Sequence, residues 1–139
     1  MSAEGNRAIL ERARECWNAQ DERGYLELYD EGATLHGYPG VEPGIDGIRG
    51  FYEAFWAAFP GSRLTFEDVI AEGDRVAVRF AVRGTHRGDF QGIPATGRQV
   101  ALTGITILRF AAGKCVERWS QADFAGLLSA LSTPPQASG

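Results

Sequence analysis

The stretch that decides the fold is RLTFEDVIAEGDRVAVRFAVRG, Arg63–Gly84. Here the apolar residues stop recurring at helical spacing and begin to alternate. Val76, Val78, Phe80 and Val82 fall on one side of an extended chain, and Arg75, Arg79 and Arg83 fall on the other. Successive side chains of a strand point to opposite faces, so this segment is a strand with one buried and one wet face. Glu72-Gly73-Asp74 turns the chain between it and the preceding strand, which makes an antiparallel hairpin.

Downstream, QVALTGITILRF (99–110) and KCVERWSQAD (114–123) repeat the pattern, turning at Ala112-Gly113. FAGLLSALS (124–132) is a short closing helix, and a polar tail follows it. Upstream the period is 3.6. Ala8–Gln20 carries Ile9, Leu10, Ala13, Cys16 and Trp17 as an apolar stripe. Asp21 reads as the cap of a short helix burying Tyr25, Leu28 and Tyr29, ATLHG is a short strand, and YPGVEPGIDG is a loop. Asp46 is the expected cap of a third helix, GIRGFYEAFWAAF, stopped by Pro60-Gly61. Helices first and then hairpin-joined strands give an α+β domain with helices on one face of a sheet. The 139 residues suit a single domain, 1–139, with 1–6 and 133–139 as frayed tails.

Between the hairpins runs GTHRGDFQGIPATGRQV, Gly84–Val100, far longer than a turn requires. Its glycines relax the backbone while Pro94 stiffens it, and Phe90 and Ile93 are its apolar anchors. Two readings fit: a structured flap beside a pocket mouth or dimer contact, with His86 at its hinge, or a brace that touches no ligand.

The composition excludes several classes. With 14 Lys and Arg against 18 Asp and Glu, the net charge is −4, and no concentrated basic face exists for phosphate binding. Hence no nucleic-acid partner is expected. MSAEGNRAILERAREC is charged throughout and lacks the apolar core of a signal peptide. No run approaches the about 18 apolar residues of a membrane span, so a cytoplasmic protein without a membrane partner is expected. Cys16 and Cys115 lack metal-type spacing and read as buried thiols. With two histidines and no HExxH, GxGxxG, P-loop or GxSxG pattern, the expectation is no metal and no cofactor.

The order GIDGIRGFYEAFWAAFP, then GDRVAVRFAVRGTHRGDFQGIPATGRQV, then GITILRFAAGKCVERWSQADFAGLLSALS resembles the SnoaL-like polyketide cyclase family of the NTF2-like superfamily. The likeness runs from about Ala8 to Ser132. Its most specific parts are His86, Gly88, Phe90, Gly92-Ile93-Pro94 and Thr96-Gly97-Arg98, followed by Gly113-Lys114, Glu117, Trp119 and Asp123. The resemblance implies a cone-shaped barrel, with N-terminal helices packed on the concave face of a curved antiparallel sheet around an apolar pocket. It also implies a homodimer through the sheet. Founding members close the last ring of an aromatic polyketide by intramolecular aldol condensation, without metal or organic cofactor. An aspartate near the end of the last strand is their acid/base, and Asp123 matches it.

Glu117, Trp119, Gln121 and Asp123 share strand parity, so they face one side. An aspartate beside an indole in an apolar cavity loses hydration and becomes a competent base toward an activated C–H. Equally, Asp123 is a preferred residue type for capping FAGLLSALS. His86 is a candidate donor to an enolate oxygen or a partner of Asp123, or else a backbone-bonded loop histidine. His36 is a candidate at the pocket rim. Trp17, Phe55, Trp56 and Trp119 are candidate walls suited to a flat substrate. The resemblance implies a polar partner in the penultimate strand, where this chain offers Arg109.

The reading is a cofactor-free, polyketide cyclase-like enzyme acting through Asp123 on a small, aromatic, carbonyl-rich molecule. The alternatives are another NTF2-like enzyme (isomerase, dehydratase or epoxide hydrolase) or a non-catalytic domain that binds a small hydrophobic ligand.

Overall fold

The structure is a computed structural model that describes residues 2–132. Helix α1 (Ala3–Asn18) begins where Ser2 Oγ accepts the Gly5 N–H at 2.9 Å, a side-chain cap that satisfies one orphan donor. The cap moves the start of the helix upstream of the expected Ala8, and Asn6 is fully buried, so residues 3–6 are not a frayed tail. The expected tail at 133–139 lies outside the described residues. Helix α2 (Glu22–Leu26) is capped by Asp21, as expected, through the Gly24 N–H. Helix α3 (Ile45–Ala58) is capped by the backbone of Gly44, not by Asp46. Gly44 sits at φ +100 and donates to the Ala33 carbonyl, which starts the helix early and leaves Asp46 in the first turn, paired with Arg49 at 2.9 Å.

The strands are β1 (Tyr29–His36), β2 (Arg63–Glu72), β3 (Arg75–Thr85), β4 (Gln99–Ala111) and β5 (Lys114–Ala122), with α4 (Phe124–Ser132) closing the chain. They form one sheet in the order β1-β5-β4-β3-β2. All neighbours are antiparallel except β1 and β5, which run parallel at one edge. That pairing joins strands separated by almost the whole chain, so no local signal announces it. The register shifts within β1/β5, β2/β3 and β4/β5, and such bulges bend a sheet. The helices cover the face that bears Val76, Val78, Phe80 and Val82, all buried. Among the described residues no helix is long and apolar enough to cross a membrane.

The long β3–β4 connection folds back on the end of α3. The Arg87 and Gly88 N–H groups both donate to the Ala58 carbonyl, at 2.9 and 3.2 Å. Phe90 is buried against Phe55 and Phe59, with ring centroids 5.9 and 5.2 Å apart. A Cβ at Gly88 would stand 2.5 Å from the Ala57 carbonyl oxygen, so the loop can lie this close only with glycine there. Arg98 reaches the Ala130 carbonyl at 2.7 Å, tying the loop to α4. Of the two readings of this segment, the contacts are those of a brace.

Candidate active site

The parity of β5 decides which residues meet a ligand. Glu117, Trp119 and Gln121 do share a face, but it is the outer one; Arg118, Ser120 and Ala122 point beneath the helices. On that inner side a narrow cleft of about 40 Å³ lies between helices and sheet. Its walls are aromatic and aliphatic: Trp17 from α1, Phe51 and Phe55 from α3, Leu64 from β2, Phe80 and Val82 from β3, Leu102 from β4, and Phe124 from α4. Flat apolar walls with few polar groups are the usual make-up of a small-molecule site.

The polar groups converge at Arg118. Its Nη1 donates to the hydroxyl of Tyr29 at 2.6 Å, Tyr25 at 3.2 Å and Tyr52 at 3.3 Å, and its Nε donates to Thr106 Oγ1 at 2.9 Å. The Tyr38 ring lies against the guanidinium at 5.8 Å. The tyrosines are linked in turn: Tyr25 to Tyr29 and Tyr29 to Tyr52 at 2.9 Å, with Tyr38 3.0 Å from Ser120 Oγ. Arg118 is 8 % exposed, and none of the ion pairs among the described residues involves it. Burial pushes the phenols of Tyr25, Tyr29 and Tyr52 above their ordinary value, so they are neutral donors near pH 7. Burial works against the Arg118 charge, but the hydroxyl oxygens around it outweigh that and keep it a cation.

The sequence candidates divide. Trp17 and Phe55 are in the cleft wall. Trp56 packs behind Trp17, 5.3 Å between ring centroids, outside the cleft. His36, Arg109 and Trp119 gather on the opposite side of the sheet. There His36 Nε2 lies 2.7 Å from Glu117 Oε2, Arg109 Nη2 donates to Glu117 Oε1 at 3.2 Å, and the His36 ring stacks on Trp119 at 5.5 Å. The His36 hydrogen bond, with Arg109, holds the Glu117 carboxyl below its ordinary value. His86 is fully buried against Phe59, its Nδ1 3.0 Å from Thr96 Oγ1, and no residue of its loop lines the cleft.

Asp123 is exposed and caps α4, its Oδ1 accepting the Gly126 N–H at 2.8 Å. Its chain neighbours Ala122 and Phe124 both line the cleft, whereas Asp123 itself does not. Its Oδ2 accepts no hydrogen bond from any described residue. Among the described residues no group of three or more His, Cys, Asp or Glu side chains is placed to hold a metal ion.

The SnoaL-like polyketide cyclase family matches residues 7–131. The chain belongs to that family. The solved structures agree with this SnoaL-like assignment. AclR from Streptomyces galilaeus, a candidate hydroxylase, is 30% identical with a TM-score of 0.85, covering 96% of this chain and 100% of its own. A candidate SnoaL-like polyketide cyclase from Jannaschia sp. CCS1 is 28% identical at a TM-score of 0.83, over 95% and 94% of the two chains. IdmH from Streptomyces antibioticus, a candidate polyketide cyclase, is 31% identical at 0.75, over 92% and 99%. No curated protein matches the chain.

What the sequence reading of this SnoaL-like chain missed is Arg118. The signal was there in part. Tyr25 and Tyr29 were read as buried, and a buried phenol hydroxyl needs a hydrogen-bond partner. Arg118 is a basic residue in the interior of β5 whose parity is opposite to that of Trp119 and Glu117.

Proposed function

We propose that this SnoaL-like chain is a cofactor-independent, polyketide cyclase-like enzyme that closes a ring on an activated carbonyl compound by aldol-type chemistry. The observation that carries the reading is an aromatic-walled cleft whose only strong polar feature is the Arg118–tyrosine group. A flat polyketide-like framework fills the walls, and a carbonyl oxygen directed at Arg118 gains negative charge as the adjacent C–H is deprotonated. Fixed donors aimed at developing charge stabilise it without reorganising. Asp123, flanked in the chain by the cleft-lining Ala122 and Phe124, is the proposed proton acceptor, through the oxygen that does not accept the Gly126 N–H. Apposing the carbanion carbon and the acceptor carbonyl within one molecule is the remaining contribution, an orientation effect.

The test is turnover of a panel of aryl 1,3-dicarbonyl compounds bearing a second carbonyl within reach, followed by absorbance. Wild type should accelerate closure. Asp123→Asn preserves capping and should lower kcat by about 10²–10⁴, the usual contribution of a general base. No acceleration by wild type across the panel would end the cyclase reading. Equal rates for Asp123→Asn and wild type would remove Asp123 from the chemistry.

A further inference from the structure

A guanidinium has five N–H donors in a planar fork. In Arg118 the Nε donor is taken by Thr106 and the Nη1 donors by the three tyrosine hydroxyls. Nη2 makes no hydrogen bond to any described residue and keeps accessible surface, and Arg118 lines the cleft. The charge is also unneutralised, since no carboxylate pairs with it among the described residues. Hydroxyl dipoles soften the unfavourable desolvation of an ion but leave its net charge in place.

We infer that the cleft takes its ligand as an oxyanion, a carboxylate or enolate on a flat apolar framework, seated on the free Nη2 hydrogens of Arg118. The surroundings fit this charge. The tyrosines keep their protons, so no phenolate competes for the guanidinium. Glu117, the adjacent acid, is turned to the outer face and occupied by His36 and Arg109. The Tyr38 ring lies against the guanidinium at 5.8 Å and packs on Phe51 at 5.3 Å and on Phe124 at 6.4 Å, so the framework behind the charge meets flat apolar surface. The inference rests on the proposed use of the cleft as a ligand site and adds the charge state of what it binds. Charge-assisted hydrogen bonds are roughly twice as strong as neutral ones, so an anion should be selected over its neutral isostere.

The full chain is titrated calorimetrically with 2-naphthoate and with 2-naphthamide, which share shape but not charge. The carboxylate should bind at least about tenfold more tightly, the factor that 1.4 kcal/mol represents. Arg118→Met should reduce naphthoate to the affinity of the amide. Because that variant empties a buried network, the wild-type comparison stands independently of it. A third arm uses 1,3-indandione near its midpoint of ionisation, where a rise in enolate absorbance on adding protein reads preferential binding of the enolate. A naphthoate preference with no enolate rise narrows the anion to a carboxylate, and both together widen it to delocalised oxyanions. Equal binding of naphthoate and naphthamide would overturn the inference while leaving the cleft as an apolar ligand site. Binding of neither would overturn both.

Discussion

Replacing Tyr29 by phenylalanine removes one oxygen and leaves the ring stack with Tyr52 intact. The Tyr29 hydroxyl holds the shortest hydrogen bond of the buried group, 2.6 Å from Arg118 Nη1, and also meets Tyr25 and Tyr52 at 2.9 Å. A hydrogen bond to a charged group contributes about 1.5–3 kcal/mol and a neutral one about 0.5–1.5 kcal/mol. Tyr25 and Tyr52 keep Arg118 as a partner at 3.2 and 3.3 Å, so their loss is partial. The expected cost is about 2–3 kcal/mol, dominated by the guanidinium left short of an acceptor. Tyr38→Phe is the control, because that hydroxyl has only Ser120 at 3.0 Å and Tyr52 at 3.5 Å and is half-buried, so about 1 kcal/mol or less is expected. Urea unfolding at fixed protein concentration reads both. With a denaturant slope of about 1–3 kcal/mol/M, Tyr29→Phe should move the midpoint down by about 1 M or more without changing the slope. Equal shifts for the two variants would refute the claim that the hydroxyls hold a buried cation.

On the outer face, Glu117 is held below the ordinary carboxylate value of 4.5 by His36 and Arg109. A lowered carboxylate stabilises the fold above its unfolded value and loses that contribution as pH falls through its folded value. Wild type should therefore lose more urea stability below pH 4.5 than Glu117→Gln, and parallel curves would count against the cluster. Burial pushes the Cys115 thiol up to about 11, and Cys16 is also buried, so a thiol-specific chromogenic reagent at pH 8 should label both only after unfolding. Rapid native labelling would show a more open core. Ile105 and Ile107 are 56% and 38% exposed on the outer sheet face. The homodimer that the family resemblance implies would cover them, so Ile105→Lys should convert a dimer to monomer in sedimentation analysis, and an unchanged dimer would place the contact elsewhere.

The hairpins were legible because alternation is local: Val76 to Val82 display a buried face without reference to any other segment. The closing helix and the Asp21 cap were legible for the same reason. The third helix was misread at its start because Gly44, not Asp46, answers to a contact with Ala33 in β1, across the intervening loop. Strand parity placed Glu117 and Trp119 together but left open which face they occupy. That depends on β4 and the helices, and the answer turns Trp119 outward and Arg118 toward the cleft. Arg118 became visible only when the parallel pairing of β1 with β5 brought Tyr29 beside it. His86 read as a polar group available to a ligand because its burial depends on Phe59, at the far end of α3.

The most direct measurement is a nitrogen-15 NMR titration of the full chain with 1,3-indandione, following the indole N–H signals. Trp17 lines the inner cleft, whereas Trp119 lies on the outer face under Arg75, 5.2 Å from the guanidinium to the ring centre. The account predicts saturable movement of the Trp17 indole and the Arg118 Nε–H, with Trp119 unmoved. Movement of Trp119 with Trp17 and Arg118 unchanged would contradict it and place the ligand on the opposite side of the sheet.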